Sequence, residues 1–409
     1  MTAPILPARF DPLAAEQRDN PYDVLALARR EQPVFYAPEL DLWVVTRHED
    51  VLAVLKDHTS FSSTGALRSA VGPLPPEVVE VLAEGAPGMP YIIEIDPPIH
   101  HPIRGLVTRA FTPRRVAELE PAVAEIVAQL LDGLPPAGEV DIVERFAWPL
   151  PLRVLGKLLG LPEEDLPSLH RWGNDWMLVQ QDGPIDRRLE HARGTVALQR
   201  YFLNAVAARE REATDDLIGA LVAGRSELEP PLTDVEIAGL PLDLMVAGHV
   251  TVTRAIGNTV DLVFRNPDVV EHLRDPARSG AAIEEILRLE SPAQGLFRRA
   301  TRDTAIGGVL IPAGARVMAH FASANRDECA FSGGDRFEPE RAELSRHLAF
   351  GKGIHFCIGA PLARLELSIA LPALLERLPG LRPGSAPPVR EPLFFARGFA
   401  ELPVAWGPE

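Results

Sequence analysis

The sequence predicts a mainly α-helical chain with small β-sheets, an α+β fold. Segments with apolar residues at helical spacing dominate the middle of the chain. Runs rich in β-branched and aromatic residues are short and lie towards the two ends. Proline is frequent, 40 of 409 residues, about twice the usual 5% share, so many segments are stopped or kinked. No repeat of fixed period and no linker-like stretch divides the chain. It reads as a single domain, 1–409, with β-rich parts at about 34–62, 297–325 and 380–409.

Taken in order, Leu42-Trp-Val-Val-Thr46 reads as a strand, and Asp50 to Lys56 carries apolar residues at helical spacing. From Gly65 to Pro98 glycine and proline predict a long loop, interrupted by a short helix between Glu77 and Glu84. Helices are expected over Pro113–Leu134 and Pro184–Arg211. Thr233-Asp-Val-Glu236 is a capping box, so another helix should start there and run past Phe264, kinked at Pro241. A further helix spans about Ala281 to Glu290. Ile306-Gly-Gly-Val-Leu-Ile-Pro-Ala-Gly314 predicts a hairpin, a last helix follows Pro361, and proline-punctuated strands close the chain.

The composition, 46% hydrophobic and 24% charged, is that of an ordered globular protein. A net charge of −16 argues against general nucleic-acid binding. Two cysteines, Cys329 and Cys357, imply no disulfide framework. Met1 to Asn20 holds five charged residues and no apolar run, so neither a secretory signal nor a membrane anchor is expected there. A cytoplasmic protein is the expectation.

One stretch concentrates unusual chemistry: Phe350-Gly-Lys-Gly-Ile-His-Phe-Cys-Ile-Gly359, then Ala-Pro-Leu-Ala-Arg364. Its glycines permit tight backbone around one sulfur, and Pro361 suits the first turn of a helix. Cys357 then sits just before a helix N-terminus, where free amide donors and the helix dipole stabilise a thiolate. A glycine-lined thiolate can approach a flat partner such as haem iron. Two other readings stay open on these residues alone: a small buried apolar cysteine, and a Cys–His catalytic pair. Zinc is disfavoured, because no second cysteine lies at ligand spacing.

The run from Phe350 through Cys357 to Gly359 resembles the haem-binding loop of the cytochrome P-450 superfamily of haem-thiolate monooxygenases, in its soluble bacterial form. Further motifs follow the family's order. Asp96-Pro-Pro-Ile-His100 with Arg104 is similar to the start of the helix that meets the haem propionates. Ala247-Gly-His-Val-Thr251 is similar in part to the oxygen-activating helix. Glu285-Ile-Leu-Arg288 matches E-x-x-R. Ala324-Asn-Arg-Asp327 and Asp335-Arg-Phe337 match the meander. The resemblance spans about Asn20 to Trp406.

It implies the cytochrome P-450 fold, with haem between a distal oxygen-activating helix and a proximal cysteine loop plus helix. The implied cofactor is heme b, iron protoporphyrin IX, with Cys357 as axial metal ligand. The resemblance nominates His100, Arg104, Arg298 and His355 for the propionates, and Phe350, Gly351 and Gly359 for the loop around the cofactor. Glu285, Arg288 and Arg336 are the implied buried structural triad. Ala247, Gly248 and Thr251 are the implied catalytic positions: Gly248 leaving room for dioxygen, Thr251 donating a hydrogen bond beside it and ordering water. The implied substrate contacts are Val246, Val250, Gln294, Leu296, Phe394 and Phe395, with the neighbourhood of Tyr91. They are mostly apolar, with Gln294 as one polar handle.

One departure stands out. The family usually has Asp or Glu just before this threonine; here it is Val250. Cleaving dioxygen with release of water takes two protons, and valine relays none. Ordered water, His249, Thr253 or a substrate hydroxyl must then deliver them, or the enzyme couples poorly or uses peroxide. The sequence therefore predicts a monooxygenase that inserts one oxygen atom into a largely apolar small organic substrate. Electrons would come from a separate ferredoxin or flavodoxin and its reductase, since no such domain is attached. Alternatives are a peroxide-driven or atypical oxidation such as oxidative coupling and, more distantly, a haem-thiolate ligand-binding or sensor protein. Arg104, Arg109, Arg114 and Arg115 against Glu118 form a basic stretch. With Lys352 and Arg364 it would attract an acidic redox partner, or it is simply a solvated charged face.

Overall fold

Four strands from two separated regions, with a short fifth at the edge, make the largest sheet. Val34–Ala37 pairs antiparallel with Leu42–Val45, which lies parallel to Arg316–Ala319; Leu296–Ala300 and the short Phe61–Ser62 complete it. Leu42–Val45 is buried at every position, as its unbroken apolar run requires. The computed structural model describes residues 10–66, 74–86, 88–181, 183–393 and 395–407. It divides into two compact units: Met1–Ser62, Glu120–Leu150 and Thr251–Glu409 form the first, Ser63–Leu119 and Pro151–Val250 the second.

In the first unit, helix His48–Lys56 buries Val51, Val54 and Leu55, spaced three and one apart, with Trp43, Val45, Val317 and Phe321 of the sheet region. Gly307 and Gly308, both at positive φ (55° and 77°), turn the predicted hairpin between Thr304–Ile306 and Val309–Ile311. Two left-handed residues in a two-residue loop match the right-handed twist of the strands. The proline-punctuated C-terminus forms short strands, of which Pro403–Trp406 pairs with Arg382–Pro383 and with Gly138–Asp141. That last strand, Gly-Glu-Val-Asp, has no apolar run and was invisible to periodicity. Helices Ser279–Leu289 and Ala360–Arg377 also belong to this unit.

The second unit is helical. The short helix expected inside the long loop is Pro76–Ala83; residues 67–73 and 87 of that loop lie outside the described residues. Helix Ile185–Arg211 follows Pro184 as expected. The single helix expected over Pro113–Leu134 is two, Pro113–Glu118 and Glu120–Asp132. Pro121 explains the break, because its ring clashes with the carbonyl four residues back.

Helix Asp234–Arg265 contributes residues to both units. Its capping box is reciprocal: Thr233 N–H donates to Glu236 Oε2 (2.8 Å), and Glu236 N–H to Thr233 Oγ1 (3.3 Å). The helix continues past Pro241 for its full 32 residues. It is long and apolar enough to cross a membrane by length and composition, and most of it is buried inside the protein, as in the core helix of a globular fold.

Candidate functional site: a cysteine loop and its supports

Cys357 lies half-buried in the turn before helix Ala360–Arg377. Its N–H donates to the Phe350 carbonyl at 2.9 Å, which closes the loop onto its first residue. Gly351 (φ 67°) and Gly353 (φ 75°) hold left-handed backbone. At Gly353 a Cβ would stand 2.4 Å from the Leu55 carbonyl oxygen, so only glycine lets the loop press on the end of helix His48–Lys56. At Gly359 a Cβ would lie 4.0 Å from the Cys357 sulfur, so the missing side chain keeps the space beside Sγ clear. Among the described residues no three His, Cys, Asp or Glu side chains gather as a metal site. One thiolate at a helix N-terminus, in a glycine-cleared cradle, suits an iron whose other ligands come from a porphyrin.

The loop's surroundings carry paired charge. Arg364, on the helix after the cysteine, grips Glu284 with two bonds, Nε to Oε1 at 2.6 Å and Nη2 to Oε2 at 2.8 Å. His347 Nε2 shares Oε2 at 2.8 Å. Burial pushes the Glu284 carboxyl up, but the bonds from Arg364 and His347 outweigh it and hold the group at about 2. The bond to Glu284, and next its charge and that of Cys357, keep Arg364 firmly protonated despite its burial. The guanidinium lies 4.4 Å over the Phe350 ring.

Glu285 and Arg288 are fully buried and doubly bonded (2.7 and 2.8 Å). The third member of this triad is a correction. Arg336 is 70% exposed and pairs with Glu338, whereas Arg341, 2% exposed, brings Nε to 3.0 Å from Glu285 Oε1. Arg336 contributes only its carbonyl, which accepts from Arg288 and Arg341. The chain turns after Gly333 (φ 61°), and the two arginines are five residues apart, so the motif region alone did not say which one points inward.

The nominated positions divide between the units. Arg298, buried, and His355, half-buried, belong with Cys357; Arg298 Nη1 donates to the Phe297 carbonyl at 2.7 Å. His100, fully buried, and Arg104, half-buried, stand four apart on helix His100–Ala110 of the second unit, on one face. His101, Arg104, Thr108 and Arg109 line an open hollow on that helix. Part of the basic stretch is already paired, Arg109 to Glu227 at 2.9 Å and Arg114 to Glu118 at 3.0 Å.

On the long helix, Ala247 and Thr251 are four apart, on one face. Ala247 is exposed beside buried Val246, and Thr251 is half-buried. Gly248 has its missing Cβ against Leu155: a Cβ there would meet Cδ1 at 3.1 Å. Glycine at 248 therefore serves close packing of the long helix on helix Pro149–Leu159. Val250 is buried. His249 lies about 200° round the helix from Thr251, and its Nε2 is bound to His170 Nδ1 at 3.0 Å, while His170 Nε2 meets Asn174 at 3.2 Å. Burial lowers His170 to about 4, so it is neutral.

Gln294 and Phe395 come together in the first unit: Gln294 N–H donates to the Phe395 carbonyl (2.8 Å), and the Phe395 ring lies 6.0 Å from that of Phe297, while Leu296 starts the strand Leu296–Ala300 half-buried. The amide of Gln294 already donates to the Ser291 carbonyl at 2.8 Å, so this polar handle is partly spent. Phe394 lies outside the described residues. Val246 is buried in the second unit, and Tyr91 there accepts from Trp176 Nε1 at 2.8 Å. Sequence reasoning missed Asp243, one turn before Ala247. It is buried, accepts from Ile92 N–H at 2.9 Å, and is pushed up to about 7 by burial, with nearby Glu94 adding to the shift. A lone acid inside an apolar helical stretch was the signal available.

Comparison with known proteins agrees with this geometry. The family model described as Cytochrome P450 matches residues 280–397. The chain is 38% identical over 410 residues to cytochrome P450 107B1 of Saccharopolyspora erythraea, covering 97% of each. It is 38% identical over 360 residues to erythromycin C-12 hydroxylase of the same organism, covering 87% of this chain and 86% of that protein. The solved structure of cytochrome P450 CYP109Q5 from Chondromyces apiculatus aligns with a TM-score of 0.85 at 36% identity, covering 98% of each chain. With relatives this similar along nearly the whole length, the chain belongs to the cytochrome P450 family of haem-thiolate monooxygenases.

Proposed function

We propose that this P450 holds heme b through Cys357 and inserts one oxygen atom from dioxygen into a largely apolar small organic substrate. The cradle at Cys357 carries the reading: the clear space beside Sγ, the closed loop and the helix N-terminus together favour an axial thiolate. His100, Arg104, Arg298 and His355 are assigned to the propionates, and Ala247 and Thr251 to the oxygen side. Bound haem supplies the oxidative chemistry. The chain's part is to hold the axial sulfur deprotonated, orient the substrate and place the Thr251 hydroxyl as a hydrogen-bond donor. Val246, Val250, Gln294, Leu296, Phe394 and Phe395 are assigned to the substrate, and a relative named as an erythromycin hydroxylase supports an organic molecule of that general kind. Bacterial P450s draw electrons from redox partners; a ferredoxin or flavodoxin is assigned here, meeting the basic stretch that carries Arg109, Arg114 and Arg115.

The test is the carbon monoxide spectrum of the reduced protein. The red-shifted band of thiolate-ligated haem is expected, and its absence overturns the assignment of Cys357. Optical titration with a compound library then identifies the ligand class.

A second reading, peroxide use, rests on Val250. His249 lies away from the Thr251 face and is bound by His170, which counts against it as a stand-in for the missing acid. Val250→Glu is expected to raise product formed per electron consumed and to lower turnover with peroxide. If both stay unchanged, the valine has no bearing on proton supply.

A further inference from the structure

Glu284 and Glu285 are adjacent on helix Ser279–Leu289 and face different partners. Glu285 turns to the buried arginines. Glu284 turns to His347 and Arg364, and both of its oxygens are engaged. The Glu284–Arg364 pair is partly buried, 23% and 40% exposed, and bidentate. Arg364 lies over the ring of Phe350, the residue whose carbonyl receives the Cys357 N–H, so its charge stands beside the loop that holds the sulfur. A fixed cation near the sulfur favours the state of the iron site with one more negative charge, and a carboxylate clamped to that cation cancels most of the effect.

We propose that Glu284 and Arg364 are positioning residues that tune the reduction potential of the haem, Arg364 raising it and Glu284 offsetting the rise. This rests on Cys357 being the axial ligand. The test is a dye-mediated redox titration, in which the reduced dye supplies the electron, on the holoprotein and four variants.

Glu284→Gln leaves Arg364 uncompensated and is expected to shift the ferric–ferrous equilibrium towards ferrous, on the order of tenfold at fixed potential. Arg364→Gln leaves the carboxylate and is expected to shift it the other way. The double variant is expected to return close to the parent, as is Arg364→Lys, which keeps the charge. Opposite shifts that cancel are a signature that loosened packing would not give. Single variants that shift the same way, or by less than about twofold, overturn the proposal. Should Arg364→Gln fail to retain haem, Glu284→Gln against Arg364→Lys decides: an upward shift in the first and none in the second supports it, and any other pattern overturns it. The carbon monoxide band of the parent is recorded first, so a wrong axial ligand shows there and not in the potentials.

Discussion

At the scale of single residues, the buried Glu285 carboxylate is held by two arginines, Arg288 at 2.7 Å and Arg341 at 3.0 Å. Cys357 with its glycines, and the Glu285–Arg288 pair, could be picked from spacing, because both depend on residues near each other in the chain. Arg341 could not: its contact with Glu285 crosses 56 positions, and only the folded turn separates it from Arg336. Arg341→Ala removes one partner of a buried carboxylate and is expected to cost about 3–5 kcal/mol. Arg336→Ala is expected to stay within about 0.5 kcal/mol. Urea midpoints and the fraction of haem retained distinguish them; equal effects would return the third place in the triad to Arg336.

At the scale of elements, the sequence was most legible where a local signal forces the backbone. The Thr233–Glu236 box, Pro184 before its helix, and Gly307-Gly308 in the hairpin all stand where expected. It was least legible where an element exists through a distant partner, as with Gly138–Asp141, whose pairing strand lies at Pro403–Trp406. The cysteine loop combines both. Its glycines are local, yet the reason for Gly353 is the Leu55 carbonyl of another helix. Gly353→Ala should cost roughly 1–2 kcal/mol in left-handed strain alone, with the clash in addition. The expected outcome is a smaller red-shifted carbon monoxide band and faster haem loss than for Gly308→Ala, which bears the same left-handed strain without a clash, its Cβ meeting open space. Matching spectra would mean that Leu55 yields freely.

At the scale of the whole molecule, buried carboxyls shape stability against pH. Glu366, on the helix after the cysteine, has an oxygen that is buried and unbonded, and burial raises its carboxyl from 4.5 to about 8. Asp243 is raised likewise, from 3.8 to about 7. An acid whose folded pKa exceeds its unfolded one binds the proton more tightly when folded, so stability falls as pH rises between the two values. Glu284, held near 2, acts in the opposite sense and loses its contribution as pH falls below 4.5. The melting temperature of the holoprotein should therefore decline from about pH 5 to 8. Glu366→Gln should flatten that decline and raise the unfolding free energy most at the alkaline end, by an amount on the order of a few kcal/mol. An unchanged slope would mean that Glu366 is ionised in the fold.

The contact between His170 and His249 also has a direction. Asn174 presents an amide N–H to His170 Nε2, which makes that nitrogen the acceptor and leaves the hydrogen on Nδ1. His170 therefore gives its hydrogen to His249 Nε2, and His249 must carry its own on Nδ1. Its one lone pair is already spent, so His249 can offer a hydrogen but cannot collect one until the whole relay reverses.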